Sequence, residues 1–415
     1  MRREVNWAGN YSYTAAIIHR PRSVEEVQEI VSRTPRIRAL GTRHSFNDIA
    51  DSAELISLAD IDPALELDRE AMTATVGAGI SYGLFGQALQ DQGLALHNTG
   101  SLPHISVGGA TATATHGSGD RNQNLATAVR GIELVTSDGE LAHVARGDAD
   151  FAGMVVHLGA LGIVTRLTFD VQPTYQVCQE VCEHLTWDDL MQDFDAIFSS
   201  AYSVSVFTTY REWAGTLWLK HRLEDGQKPE PANTWHATSA MADRHPMDGW
   251  SGEACTPQML VAGPWNMRLP HFRLDRIPAS GEEIQSEYFV DRAKALDVIA
   301  ALRSFEPEMR DALMISEIRT IAADDLWLST CQGRDSVAFH FSWNPDQHRV
   351  DALLPKLEEV LAPFDARPHW GKAFAATARD LEPRYEKLPA FRELVQRLDP
   401  RVTFRNEYLE RRVLG

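Results

Sequence analysis

The chain has 415 residues, 44% of them hydrophobic and 24% charged, the balance of a soluble globular protein long enough for two domains and a substantial core. Its 58 acidic against 40 basic side chains give a formal charge of −18, a field that repels nucleic acid, and no basic run interrupts it. No apolar run is long enough to cross a membrane, and no apolar stretch follows the opening Met-Arg-Arg as a secretory signal requires, so a cytoplasmic protein is expected.

In chain order, Ser23 with Glu26 three residues on forms a capping box for a helix running to about Ser32. Arg36 to Leu40 then reads as a strand that ends at Gly41, followed by Thr42-Arg43-His44-Ser45-Phe46. Glycine here permits a backbone conformation other residues avoid and leaves room for a ligand to reach peptide N–H groups. The stretch is thus a phosphate cradle, or else an ordinary strand-to-loop connection with a solvated Arg and His. No Gly-x-Gly-x-x-Gly opens a helix, which disfavours a nicotinamide cofactor.

From Glu54 to Val76 short β-branched runs are split by Asp and Pro. Ser81 then caps a helix with Leu84, Phe85, Ala88 and Leu89 on one core stripe, closed by Gly93. Asn98 to Gly119 is built almost wholly of Gly, Ala, Ser and Thr, which suits a long cofactor laid along a loop and the start of a short helix. A flexible linker would not need Ile105 or Val107. Val129 to Val135, the turn Ser137-Asp138-Gly139-Glu140 and a return strand make a hairpin. Phe151 to Leu158 reads as helix, and Gly159 to Thr165 leads into a strand ending near Val171.

Near Pro173 the character shifts, and a domain boundary is placed at about Val177. Cysteines 178, 182, 255 and 331 do not make a disulfide framework; Cys178 and Cys182 share a strand face and read as buried thiols, with metal binding the minor alternative. His221 to Pro278 is long and irregular, rich in Pro, Trp, Met and His, a length that usually marks a segment packed over a site. The 15 histidines are scattered and no His-x-x-x-His pair is present, so no metal centre is expected.

Leu313 to Arg319 alternates in period two, which puts Leu313, Ile315, Glu317 and Arg319 on one strand face. Val337 to Trp343 alternates as well, with Val337, Phe339, Phe341 and Trp343 toward the core and Ala338, His340 and Ser342 opposite. Two such polar rows are either a solvated sheet face with a salt bridge or the wall of a pocket. His beside Ser and Glu beside Arg, with so few lysines, favour the pocket. In His369-Trp370-Gly371-Lys372 the glycine lets a loop turn sharply and present the ammonium, although a lone loop lysine is commonly a surface residue.

Gly-x-x-His44-Ser-Phe together with Ser101-Leu-Pro-His-Ile-Ser-Val-Gly-Gly and Thr115-His-Gly-Ser-Gly resembles the vanillyl-alcohol-oxidase type of flavoprotein, most closely its alditol (xylitol) oxidases. Ser316-Glu-Ile-Arg319, His340-Phe-Ser-Trp343, Pro368-His-Trp-Gly-Lys372 and Phe404-Arg-Asn-Glu-Tyr408 extend the likeness over nearly the whole chain. One departure is Arg43, where many members read Gly-x-Gly-His-Ser.

The resemblance implies an α+β, two-domain fold: an FAD-binding domain of residues 1–176 completed by 371–415, and a substrate-binding cap of 177–370 with a mainly antiparallel sheet. It implies FAD, covalently bound through His44 and lined by Ala39, Leu40, Gly41, Thr42, Arg43, Ser45, Ser101, Ser106, Gly109, Thr113, Ala114, Thr115, His116, Ile163 and His369. A polyol would be held by Ser101, Glu317, Arg319, Ser342 and Lys372, with Lys372, Arg319, Glu317 and His340 the catalytic set. Arg319 or His369 would also stabilise the anionic reduced flavin.

The implied reaction is oxidation of the terminal primary hydroxyl of alditols such as xylitol and sorbitol to the aldose, with O2 reduced to H2O2, by a monomer without nucleic-acid or membrane partners. Gly100 carries no side chain to block oxygen, which favours an oxidase. The alternative is an aldonolactone oxidase or dehydrogenase of the gulono- or galactonolactone type. A non-catalytic flavin- or sugar-binding protein would not need the clustered Glu, Arg, His and Lys.

Overall fold

The computed structural model describes residues 4–224, 227, 234–276 and 283–415. Of the irregular stretch 221–278, residues 225–226, 228–233 and 277–278 therefore lie outside the described residues.

The first half holds two main sheets. Ile17–His19, Glu54–Ile56 and Ile37–Ala39 pair in parallel, with Glu54–Ile56 central. Helix Val24–Arg33 connects the outer two: Ser23 Oγ accepts from the Glu26 N–H at 3.3 Å, while the Glu26 carboxylate reaches back to the Arg22 N–H at 2.8 Å. A second, antiparallel sheet runs Glu66–Asp68, Thr73–Gly77, Ile163–Asp170, Val129–Val135, Leu141–Ala145, the last two joined by the expected hairpin. Helix Tyr82–Asp91 is capped by Ser81 and buries Tyr82, Phe85, Gly86 and Leu89. Leu84, expected on that stripe, is instead 57% exposed. A 3.6-residue period centred on Phe85 and Leu89 turns it to the outer flank.

The second half is one nine-stranded antiparallel sheet. Its centre is Ser203–Thr208, Leu313–Ile321, Ser336–Trp343 and Ile284–Asp291, in that spatial order. Val337, Phe339, Phe341 and Trp343 join the core with Val298, Ile299 and Leu302 of helix Ala295–Met309 and Val350, Leu354 and Leu357 of helix Gln347–Leu361. One expectation is corrected here. The register shifts between Leu313 and Ile315, so Leu313 packs into the main core and the inward row begins at Ile315.

The C-terminal segment returns to the first half. Phe46 N–H donates to Gly371 O at 2.8 Å, Ile37 N–H to Thr403 O at 3.0 Å, and Asn406 Nδ2 to the carbonyls of Asp48, Ile49 and Asp51. The four cysteines are free and buried.

Candidate active site

A cavity of about 320 Å³ runs between the two halves, within the range of small-molecule pockets. One end is formed by residues 38–46, 56–59, 106–115 and 157–164, and the other by the inner face of the large sheet and the loop carrying Lys372.

At the first end the chain leaves strand Ile37–Ala39 into residues 40–45. Among the described residues, none of the backbone N–H groups of 41–45 meets a protein acceptor. Arg43 takes a left-handed φ of 64°, the conformation a glycine would supply, and pairs with Glu4. A Cβ at Gly41 would stand 2.6 Å from Ser106 Oγ, so with glycine there the loop packs against the start of helix Val107–Ala112 without turning that hydroxyl aside. Unpaired N–H groups in a row, beside a helix start and along an elongated cavity, fit a dinucleotide such as FAD.

His44 lies at the turn of this loop. Its Nδ1 is 3.0 Å from Thr42 Oγ1, which also accepts from the Ser106 N–H at 3.0 Å, and its ring stacks on Trp7 at 5.4 Å. Burial, His104 and Arg43 push its pKa down to about 4, so the imidazole is neutral at physiological pH and keeps a nitrogen lone pair.

The wall at the other end follows from strand register. Phe207 stands opposite Glu317, Glu317 opposite His340, and His340 opposite Glu287, one row across four strands. Opposed residues in antiparallel strands share a face. The neighbouring rows place Ser342 opposite Ile315 and Gln285, and Arg319 opposite Ala338, whose small side chain leaves room for the guanidinium. Lys372 arrives from a loop stitched to the same sheet: His369 N–H donates to Glu287 O at 2.9 Å and Ala373 N–H to Gln285 O at 2.8 Å. Asn47, from the first half, binds the Trp370 and Lys372 carbonyls at 2.9 and 2.7 Å.

The charges converge on Glu287, whose side chain is fully buried. Oε1 accepts from Arg319 Nη2 at 2.6 Å and lies 3.2 Å from His116 Nε2; Oε2 accepts from Lys372 Nζ at 2.7 Å. Burial alone would raise this carboxyl, but Lys372 and Arg319 hold it well below the usual range, so it is ionised. Arg319 Nη1 donates to Ser101 Oγ at 3.2 Å, which ties the first half to the wall. Glu317 pairs with His271 Nε2 at 2.9 Å and lies 3.6 Å from Arg319 Nε. His340 and His369 are held neutral by burial and by Lys372. His369 Nδ1 accepts from the Gly371 N–H at 3.1 Å.

The cavity thus brings together Ala39, Leu40, Gly41, Thr42, Arg43, His44, Ser45, Gly100, Ser101, Ser106, Gly109, Thr113, Thr115, His116, Glu317, Arg319, His340, Ser342, His369 and Lys372. Two expected residues fall outside it. Ile163 is fully buried and strand alternation sends its side chain into the core, while Gly162 and Val164 line the cavity. Ala114 is buried at a left-handed turn, φ 55°, between the lining residues Thr113 and Thr115. Burial and Lys372 keep His369 neutral, so the cations at this end of the cavity are Arg319 and Lys372 on Glu287.

Glu287, Gln285, Glu283 and His271 line the cavity and escaped the sequence reading, as did His245 and Met247 of the irregular stretch. The missed signal was Ile284-Gln-Ser-Glu-Tyr-Phe-Val290, a period-two strand whose pairing with Val337–Trp343 places Gln285 and Glu287 in the polar rows. Ligand atoms of His116, Glu287 and His369 lie within 4.8 Å of one another. That carboxylate already carries two cations, which would repel a metal ion.

The family model for an FAD binding domain matches residues 15–145, and that for D-arabinono-1,4-lactone oxidase matches 281–412. An alditol oxidase from Streptomyces sp. is 44% identical over 409 residues, covering 97% of each chain. The chain belongs to the alditol oxidase family. It is an FAD-dependent oxidoreductase of the vanillyl-alcohol-oxidase type. An L-gulono-1,4-lactone dehydrogenase of Mycobacterium tuberculosis is 29% identical, covering 99% of this chain and 98% of its own, and a mouse (Mus musculus) L-gulonolactone oxidase is 26% identical, covering 98% and 97%. In fold the chain is similar to a cholesterol oxidase from B. sterolicum, with a TM-score of 0.80 at 13% identity, covering 99% of this chain and 96% of that one.

Proposed function

We propose that this protein oxidises the terminal primary hydroxyl of an alditol such as xylitol or sorbitol to the aldose, reducing O2 to H2O2, with FAD attached through His44. The observation that carries the reading is the convergence of Ser101, Arg319, Ser342 and Lys372 on one cavity reached by the loop of His44. A polyol has neither charge nor ring to grip, so its recognition needs several hydrogen-bonding groups aimed at one space, each left unpaired by an analogue lacking the matching hydroxyl.

On this reading residues 1–176 and 371–415 hold the cofactor and 177–370 form the cap. Held there, FAD would supply the hydride acceptor for the alcohol carbon and the route of electrons to O2. Arg319 and Lys372 hold the C1 hydroxyl and favour its alkoxide character, an electrostatic effect strengthened where water is excluded. Glu317, fixed by His271, accepts from neighbouring hydroxyls, and Ser342 and His340 complete the polar wall. The reading takes the enzyme as a cytoplasmic monomer acting on small molecules; among the described residues no helix is long and apolar enough to cross a membrane. The lactone enzymes are the less similar relatives, which favours the alditol reading.

The test is an anaerobic spectrum of the purified protein before and after xylitol. Bleaching of the flavin band, reversed by air with release of H2O2, is expected; a flavin untouched by xylitol but bleached by a lactone overturns the reading.

A further inference from the structure

We propose that Glu287 is a positioning residue for alcohol oxidation: its single carboxylate fixes the Arg319 guanidinium and the Lys372 ammonium relative to each other. The inference rests on the alditol reading above.

The geometry is specific. One rigid planar group has each oxygen committed to a different cation, at 2.6 Å to Arg319 Nη2 and 2.7 Å to Lys372 Nζ, so the separation of the two nitrogens is set by the carboxylate. Arg319 keeps Nη1, one of whose protons is on Ser101, and Nε, 3.6 Å from Glu317, while Lys372 keeps two further N–H groups on a side chain that lines the cavity. None of these side chains is more than 14% exposed, so solvent does little to screen them. Glu287 itself ends the four-strand row, held by backbone pairing to His340 on one side and by the His369 N–H to its carbonyl on the other, which makes it a stiffer anchor than the loop that carries Lys372.

Charge balance gives the second half of the argument. The groups facing Lys372 are Glu287 and Glu283 of one strand segment, Glu317 and Arg319 of the next, His340 of the third, His116 from the small-residue stretch and His369 of its own loop. Burial and Arg319 pull the Lys372 pKa down; Glu287 and Glu317 push it up. With Glu287 neutral, two buried cations would face each other with Glu317 the remaining ionised carboxylate, and Lys372 would give up its proton at a lower pH. If the ammonium is the form that stabilises developing alkoxide, activity is full below the Lys372 pKa and is lost above it.

The test compares wild type, Glu287→Gln and Glu287→Asp as flavin-loaded proteins turning over xylitol across pH. For Glu287→Gln we expect bound flavin and an unchanged flavin spectrum, kcat lowered about 100-fold with KM changed far less, and the alkaline limb of kcat moved about one pH unit or more toward acid. Glu287→Asp, which keeps the charge, restores the wild-type alkaline limb while kcat stays reduced because the carboxylate no longer reaches both cations. Wild-type kcat and pH profile in Glu287→Gln overturn the proposal, as does a fall in kcat with an unmoved alkaline limb. Should Glu287→Gln fail to fold, wild-type kcat in Glu287→Asp overturns it. A wild-type protein that xylitol never reduces sinks the alditol reading and this inference together, whereas normal wild-type turnover with an unshifted variant sinks the inference alone.

Discussion

Replacing Lys372 by Met keeps the apolar stem and removes one buried charge. The structure sets the size of each consequence. The lost Nζ bond to Glu287 Oε2 spans 2.7 Å between side chains 14% and 0% exposed. Arg319 Nη2 still holds the other oxygen at 2.6 Å, so the carboxylate is not orphaned and the folding cost is that of one charge-assisted bond, about 1.5–3 kcal/mol. The effect on chemistry is larger. A donor aimed at a developing oxyanion in a dry site is worth about 10²–10³ in rate, or roughly 3–4 kcal/mol. Because the negative charge on the alcohol oxygen grows toward the transition state, the larger loss falls on the rate of flavin reduction; binding of the uncharged polyol loses a single charge-assisted contact, worth about 1.5–3 kcal/mol at most. The assay is anaerobic stopped-flow reduction by xylitol over a concentration series, with circular dichroism and flavin absorbance to establish that fold and cofactor are retained. A limiting reduction rate near wild type would refute the role given to the ammonium. A rise in apparent Kd without a fall in that rate would show that Lys372 binds substrate and does no more.

His44→Ala is expected to bind flavin that no longer survives denaturation on the chain, read as loss of the fluorescent band in a denaturing gel; a persisting band means another residue carries the link. At the left-handed Arg43, Arg43→Gly changes stability by less than about 1 kcal/mol, since relief of strain offsets the loss of the half-exposed Glu4 pair and the added chain entropy. Arg43→Val costs about 2 kcal/mol, because a β-branched residue resists that conformation; denaturant melts that rank the two the other way remove the strain argument. At Gly100 a Cβ would meet Ile105 and Thr115 at 3.5 Å, ordinary contact, so a methyl group fits there without displacing the loop. Gly100→Val is expected to slow reoxidation by O2 by an order of magnitude while xylitol still reduces the flavin, and unchanged reoxidation would remove Gly100 from the account of oxygen access.

Local signals carried much of the fold because each is decided by neighbours in sequence. The Ser23 and Ser81 caps, the hairpin turn at Ser137–Glu140 and the alternation of Val337–Trp343 all stand where the residues put them. Where a local rule met a tertiary one, the tertiary one won. The bulge after Leu313 moved that residue off the polar face, and Leu84 turned outward because packing selected the Phe85–Leu89 flank.

Glu287 shows why the site was harder to read than the fold. Glu317 and Arg319 announce themselves as a charged pair on one strand, and His340 with Ser342 on another; Glu287 is the single charge between Ile284 and Val290 and gains meaning only from a register no local pattern reports. In isolation a glutamate in an apolar strand predicts an exposed edge. Placed opposite His340, between cations brought by residues 319 and 372, the same side chain is the most buried acid of the cavity. An ionised carboxylate is costly to bury unless its partners arrive with it, and Arg319 and Lys372 are themselves costly without it. The three charges are therefore interdependent, and a sequence that kept the Glu-Ile-Arg and His-Trp-Gly-Lys segments while losing the acid at 287 would be expected to retain the fold and the cofactor cradle but not an ammonium at position 372.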